Sequence, residues 1–250
     1  MGTIGEALVR GLVSAHGPQL EVVLSPRNAE RARELADRFD DVEVLSSNQA
    51  VLDRSDWVVL AVIPRLAQQI ISELRFRPEQ RVVSLVADFD LTRLRALVGP
   101  TALLARMVPL PFVAERIGPL TAYPVTAEVE AVFGPLGDLV AARDEAALDL
   151  LMTITSLMSP YYAVIGQVVA WGVRQGLPAD LTARFTLSLF QAWLAQGRRL
   201  EPAALVEHWR EMTPGGLNQL AMEVLEQGDA IGRWSQAMDQ ILARIRPPAD

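Results

Sequence analysis

The 250-residue chain has no cysteine and two histidines, His16 and His208. Disulfides and thiolate chemistry are thereby excluded. Neither histidine has a second ligand at metal-binding spacing, so no metal is expected. Positive charge is also scarce. The 23 Lys and Arg against 30 Asp and Glu give a net charge of -7, which leaves no basic stripe for phosphates and argues against a nucleic-acid partner. No signal peptide precedes the first helical pattern, so the cytoplasm is the expected compartment. What the chain does have is apolar surface. Half of its residues are hydrophobic, enough for one or two cored domains. The most apolar stretch, 148–173, is interrupted by Asp149, Pro160 and Gln167, and its runs fall short of the roughly 20 residues a membrane span needs. A helix apolar on most sides must then be wrapped by protein, so it is expected to be buried or to lie at a subunit interface.

Hydrophobic periodicity divides the chain in two. In the first half, strand patterns at 20–24, 42–45, 56–62, 81–86 and 101–108 alternate with helical patterns at 29–39, 47–52, 66–74 and 91–97. The continuous apolar run at 56–62 is what a parallel strand covered on both faces requires. A short helix at 126–133, stopped by Gly134-Pro135, and a last strand at 138–142 follow. From Asp144 the pattern is helical only, at 144–176, 180–197, 202–212 and 216–245, with Gly176 and Gly197 at capping positions. Pro247-Pro248-Ala249-Asp250 reads as a loose tail. The expected architecture is α/β: a Rossmann-like parallel-sheet domain over 1–143, then an all-α domain over 144–250.

Three loops carry chemistry. Met1-Gly2-Thr3-Ile4-Gly5-Glu6-Ala7-Leu8 reads as the end of a G-x-G-x-x-G fingerprint running into a helix. Gly2 lets backbone approach a pyrophosphate, and Gly5 lets the helix lie close on the sheet. The first glycine and the strand before it are not in the chain, so the strands at 20–24 and 56–62 are expected to have no partner between them. After the strand at 20–24, a site for NAD would place an acidic residue; Ser25-Pro26-Arg27-Asn28 offers phosphate donors instead, which favours NADPH. The same residues could simply cap the helix at Ala29. Thr213-Pro214-Gly215-Gly216-Leu217-Asn218 opens the last long helix. Backbone N–H groups of Gly215, Gly216 and Leu217 could cradle a carboxylate there, although a plain interhelical turn has the same sequence.

The order of these loops resembles the pyrroline-5-carboxylate reductases, over nearly the whole chain. Leu60-Ala61-Val62-Ile63-Pro64, Val83-Ser84-Leu85, Ser159-Pro160-Tyr161-Tyr162 and Gly176-Leu177-Pro178 also fall where that family has its motifs. The resemblance implies NAD(P)H-dependent reduction of a five-membered cyclic imine to L-proline. It also implies helical domains that interleave as homodimers, often within larger rings. Gly2, Thr3, Ile4, Ser25, Arg27, Asn28, Ala61, Val62 and Pro64 would bind the cofactor; Gly215, Gly216, Leu217 and Asn218 would bind substrate.

The departures lie at the substrate end. The family's M-P-N-T-P turn is Val108-Pro109-Leu110-Pro111, one residue shorter, and its Lys in A-V-K-P-Q is Ile63. Its A-A-G is Val86-Ala87-Asp88, and its S-G-S-G-P-A-Y is Ser156-Leu157-Met158-Ser159-Pro160-Tyr161-Tyr162. Leu217-Asn218 replaces a Thr-Thr pair whose second member bonds the substrate ring nitrogen. Asn218 can make that hydrogen bond but cannot deliver a proton. Hydroxyls of Tyr162, Thr213, Tyr161 or Ser156 could relay one, although a Tyr-Tyr pair on an apolar helix is as readily core. The implied catalytic set is Asn218, Tyr162 and Thr213. The default substrate is 1-pyrroline-5-carboxylate. A more apolar imine or ketone, or nucleotide binding without turnover, are the alternatives.

Overall fold

The computed structural model describes residues 2–211 and 213–246. The tail at 247–250 and the helix end expected at Met212 lie outside the described residues. Two compact units are present, Met1–Met152 and Thr153–Asp250.

The first unit opens with helix α1 (Thr3–His16), followed by β1 (Val22–Leu24), α2 (Ala29–Arg38) and β2 (Val42–Val44). Then come α3 (Asn48–Arg54), β3 (Trp57–Leu60), α4 (Pro64–Ser72), β4 (Arg81–Ser84), α5 (Leu91–Val98) and β5 (Leu103–Val108). Short polar side chains start three of its helices: Ser47, Asp90 and Thr126 accept from the N–H groups of Ala50, Arg93 and Val129.

β6 (Pro119–Tyr123), α6 (Ala127–Phe133) and β7 (Asp138–Ala141) complete the sheet. The sheet is mixed rather than parallel throughout. β3, β4 and β5 are parallel, β6 runs antiparallel to β5, and β7 is parallel to β6. β6 is invisible to periodicity because prolines bracket it. Pro119 is tolerated as the first residue of a strand, where no ladder N–H is needed.

The expected discontinuity is there. Among the described residues β1 pairs only with β2, and β3 is an outer strand of the five-stranded sheet, so the ladder is broken between β1 and β3. Helix α1 spans the two parts. Its Ala7, Leu8 and Leu12 pack with Ala105, Met107, Leu120 and Phe133, while Val9 packs with Leu24, Ala32 and Val42. Alternation along β5 sends Leu103, Ala105 and Met107 to that face and Leu104 to the other, with Val58, Val82, Ile71 and Leu94.

Helix α7 (Glu145–Thr155) begins at Asp144, whose carboxylate accepts from the Ala147 N–H at 2.6 Å. The boundary between the units falls inside this helix rather than at its start, because Leu148 and Met152 are buried within the first unit.

The second unit continues with α8 (Met158–Arg174), α9 (Ala179–Gly197), α10 (Pro202–Glu207), α11 (Leu217–Gln227) and α12 (Gly232–Ile245). Two helices expected to be continuous are broken, at Ser156-Leu157 and at 228–231, where Asp229 takes a left-handed φ of 52°. The segment 202–212 is a short helix plus a 3₁₀ turn at His208–Arg210. α8 and α9 pack closely through Gly172: a Cβ there would lie 2.5 Å from Thr182 Cγ2.

By length and a mean hydropathy of 1.3 alone the stretch Glu145–Arg174 is apolar enough to cross a membrane, with 22% of its most apolar window buried within the chain, but it is divided between α7 and α8.

Candidate active site

A cavity of about 340 Å³ opens at the carboxyl ends of β3, β4 and β5. Open α/β sheets bind ligands at this end, where strand ends and helix starts converge. One wall is Gly2, Thr3, Ile4 and Gly5; the next is Ala61, Val62, Ile63 and Pro64 at the start of α4. Ser84 to Ala87, Arg106 to Pro109 and Met152 close it. A second cavity, of about 400 Å³, lies beside Asp56, Trp57, Arg81 and Glu128, at the amino ends of β3 and β4. There Arg81 donates to Glu128 at 2.6 Å and holds its carboxyl below the usual range. A site already closed by its own ion pair, at the wrong end of the strands, is not the candidate.

The first cavity suits a dinucleotide pyrophosphate. Gly2 caps α1 with extended backbone and without a side-chain hydrogen bond, so the first N–H groups of this 14-residue helix are left for an anion. A Cβ on Gly2 would meet nothing within 4 Å, which leaves room for a ligand. Gly5 is buried beneath the helix start. Farther along, Gly11 touches the turn that follows β5. A Cβ there would sit 2.3 Å from the Val113 carbonyl oxygen, so only glycine lets α1 meet the 3₁₀ turn Pro111–Glu115 at this spacing.

Of the cofactor residues read from sequence, Gly2, Thr3, Ile4, Ala61, Val62 and Pro64 line this one cavity. Ser25, Arg27 and Asn28 do not. They form the turn between β1 and α2, with Arg27 and Asn28 exposed. Asn28 is the N-cap of α2 in left-handed conformation, φ 58°, and its side chain makes no cap hydrogen bond. Helix capping by that amide is therefore not what the residue does here. Arg31 on α2 pairs with Glu6 on α1 at 3.2 Å, tying this turn to the glycine-bearing helix.

Tyr162, Thr213, Gly215, Gly216, Leu217 and Asn218 belong to the second unit. Tyr162 is 54% exposed and stacks edge-on with Tyr161, ring centroids 5.7 Å apart, so it is not a core residue of one chain. The Gly215 N–H donates to the Gln219 side chain at 2.8 Å, and the Gly216 N–H to the Thr213 carbonyl at 2.9 Å. Two of the three N–H groups proposed for a carboxylate are thus engaged within the loop. What remains for an anion is the start of α11, from Leu217 onward.

Sequence reading missed the charged cluster on the cavity wall. Arg106, 5% exposed, donates to Glu145 at 2.9 Å, to Asp149 at 3.2 Å and to the Ala87 carbonyl at 3.2 Å. A lone arginine inside Leu103-Leu104-Ala105-Arg106-Met107-Val108 is a detectable signal, because a buried guanidinium demands acid partners.

Residues 1–88 match the family model described as NADP oxidoreductase coenzyme F420-dependent. Along 250 aligned residues the chain is 26% identical to the pyrroline-5-carboxylate reductase of Pseudomonas aeruginosa, covering 95% of this chain and 90% of that one. The solved 1-pyrroline-5-carboxylate reductase of Streptococcus pyogenes superposes with a TM-score of 0.83 at 21% identity, over 98% of this chain and 95% of that one. The Plasmodium falciparum pyrroline carboxylate reductase, solved with NADP bound, gives 0.77 at 17% identity, over 98% and 94%. The likeness in fold covers nearly the whole chain, and the sequence match to the Pseudomonas aeruginosa protein is of similar extent. Over nearly its whole length the chain is thus similar in sequence, and alike in fold, to the pyrroline-5-carboxylate reductases.

Proposed function

We propose that this protein is an NADPH-dependent reductase of a cyclic imine, converting 1-pyrroline-5-carboxylate to L-proline. The observation that carries the reading is the cavity at the ends of β3, β4 and β5, walled by the open Gly2 turn and by Ala61, Val62 and Pro64. NADPH, when bound, supplies a hydride. The α1 start would hold its pyrophosphate, and Ser25, Arg27 and Asn28 its 2′-phosphate.

The remaining work falls to the chain's own residues. Reduction adds a hydride to the imine carbon and a proton to its nitrogen, so both partners must be aligned and the nitrogen must receive a proton. Asn218 hydrogen-bonds the nitrogen, and the hydroxyl of Tyr162 or Thr213 relays the proton. The helix start at Leu217 holds the substrate carboxylate, with Gly215 and Gly216 shaping the loop.

A second reading is favoured by one feature. Ile63, 48% exposed on the cavity wall, puts apolar surface where the family has a lysine. Such a site suits a more apolar imine or ketone. NADPH oxidation with 1-pyrroline-5-carboxylate, and with a panel of uncarboxylated imines, separates the two. Turnover of the carboxylated imine with proline as product is expected. Preference for uncarboxylated imines would establish the second reading, and NADPH binding without any turnover a non-catalytic nucleotide binder.

The working form is a homodimer or a larger homo-oligomer in the cytoplasm, with a small-molecule partner and neither nucleic acid nor membrane. Support comes from α8 and α9, which present Trp171, Phe185, Trp193 and Leu194 at 54–67% exposure. Apolar surface on that scale marks an interface, and a second copy covers it.

A further inference from the structure

We propose that Arg106 is a positioning residue for the nicotinamide end of the cofactor, an inference that rests on the reductase reading. Its guanidinium reaches three acceptors on two segments: the Ala87 carbonyl after β4, and Glu145 and Asp149 on α7. Glu145 also accepts from the Leu91 N–H at 2.9 Å, so the same carboxylate fixes the start of α5. Glu145, Asp149 and Met152 are spaced i, i+4 and i+7 and share one face of α7. Pinning the first two places the third.

Ala87 and Met152 both line the cavity that begins at Gly2. Arg106 therefore sets the separation of two cavity walls while offering a ligand little charge, since two carboxylates already answer its own. The 6% side-chain exposure of Arg106, against 29% for Glu145 and 13% for Asp149, makes the guanidinium the buried centre of the cluster. A group serving stability alone would not need to bridge two segments of the cavity wall. The expected consequence of loosening it is misalignment of the reacting end, with the adenosine end left intact.

Two variants test this. Arg106→Lys keeps the charge but cannot span three acceptors, and the triple variant R106M/E145Q/D149N removes the cluster without stranding a charge. Affinities for NADPH and for 2′,5′-ADP, which occupies only the adenosine side, are measured beside kcat. The expected pattern in both variants is unchanged 2′,5′-ADP affinity, NADPH affinity weakened about tenfold, the value of one bond to a charged group, and kcat reduced about 10- to 100-fold. Equal loss of both affinities, with a lowered melting temperature, would make the cluster merely structural and overturn the inference. So would wild-type kcat and NADPH affinity in the triple variant. A wild type that binds NADPH yet reduces no imine overturns the reductase reading instead, and the ratio of the two affinities still decides the role of Arg106.

Discussion

At Arg27 the proposed preference for NADPH rests on one guanidinium. A carboxylate at the end of β1 would hold ribose hydroxyls and repel a 2′-phosphate; Ser25, Arg27 and Asn28 present donors instead. Arg27→Ala is expected to weaken NADPH by about 1.5–3 kcal/mol, the range for a charge-assisted bond, and to leave NADH nearly unaffected. Titration of both cofactors against both proteins checks it, and equal wild-type affinities would remove the argument. Gly11 is the other decisive single residue. The Val113 carbonyl leaves no room for a Cβ, so Gly11→Ala must push the turn after β5 off α1. Overpacking of this kind typically costs about 1–3 kcal/mol, readable as a lowered midpoint in urea, with wild-type stability as the contrary result. The place of Gly2 and Gly5 at the start of α1, on the cavity wall, follows from their spacing. That of Gly11 does not, because its partner lies on a turn about a hundred residues away and no periodicity links them.

Among the elements, most strands and helices follow from pattern, since each half-buried face repeats with its own period. The failures have separate physical causes. β6 is too short and too flanked by proline to show alternation. The break at Ser156-Leu157 lies four residues ahead of Pro160, which has no N–H for the Ser156 carbonyl, whereas the apolar pattern runs on across it. The Arg106 cluster joins residues 39 and 43 positions apart, a separation at which only the fold brings them together.

Among the described residues the ladder is split between β1 and β3, as the order of strands along the chain predicts, and the apolar face of α1 packs against both parts.

For the whole molecule, the two units have different surfaces. The first closes its core on itself, with Phe133, Ile71, Leu94 and Leu120 fully buried. The second leaves Trp171, Phe185 and Trp193 more than half exposed, apolar surface that fits the proposed interface between copies. Light scattering at micromolar concentration is expected to give at least a dimer, and a compact monomer would contradict the interface. The central claim is that NADPH gives its hydride to an imine carbon within the cavity at the ends of β3, β4 and β5. The most direct measurement is incubation with 1-pyrroline-5-carboxylate and NADPH deuterated at the transferable position, followed by mass spectrometry of the product. The predicted result is proline carrying a single deuterium at the former imine carbon. Proline without the label, or consumption of neither reactant at saturating cofactor, would contradict it.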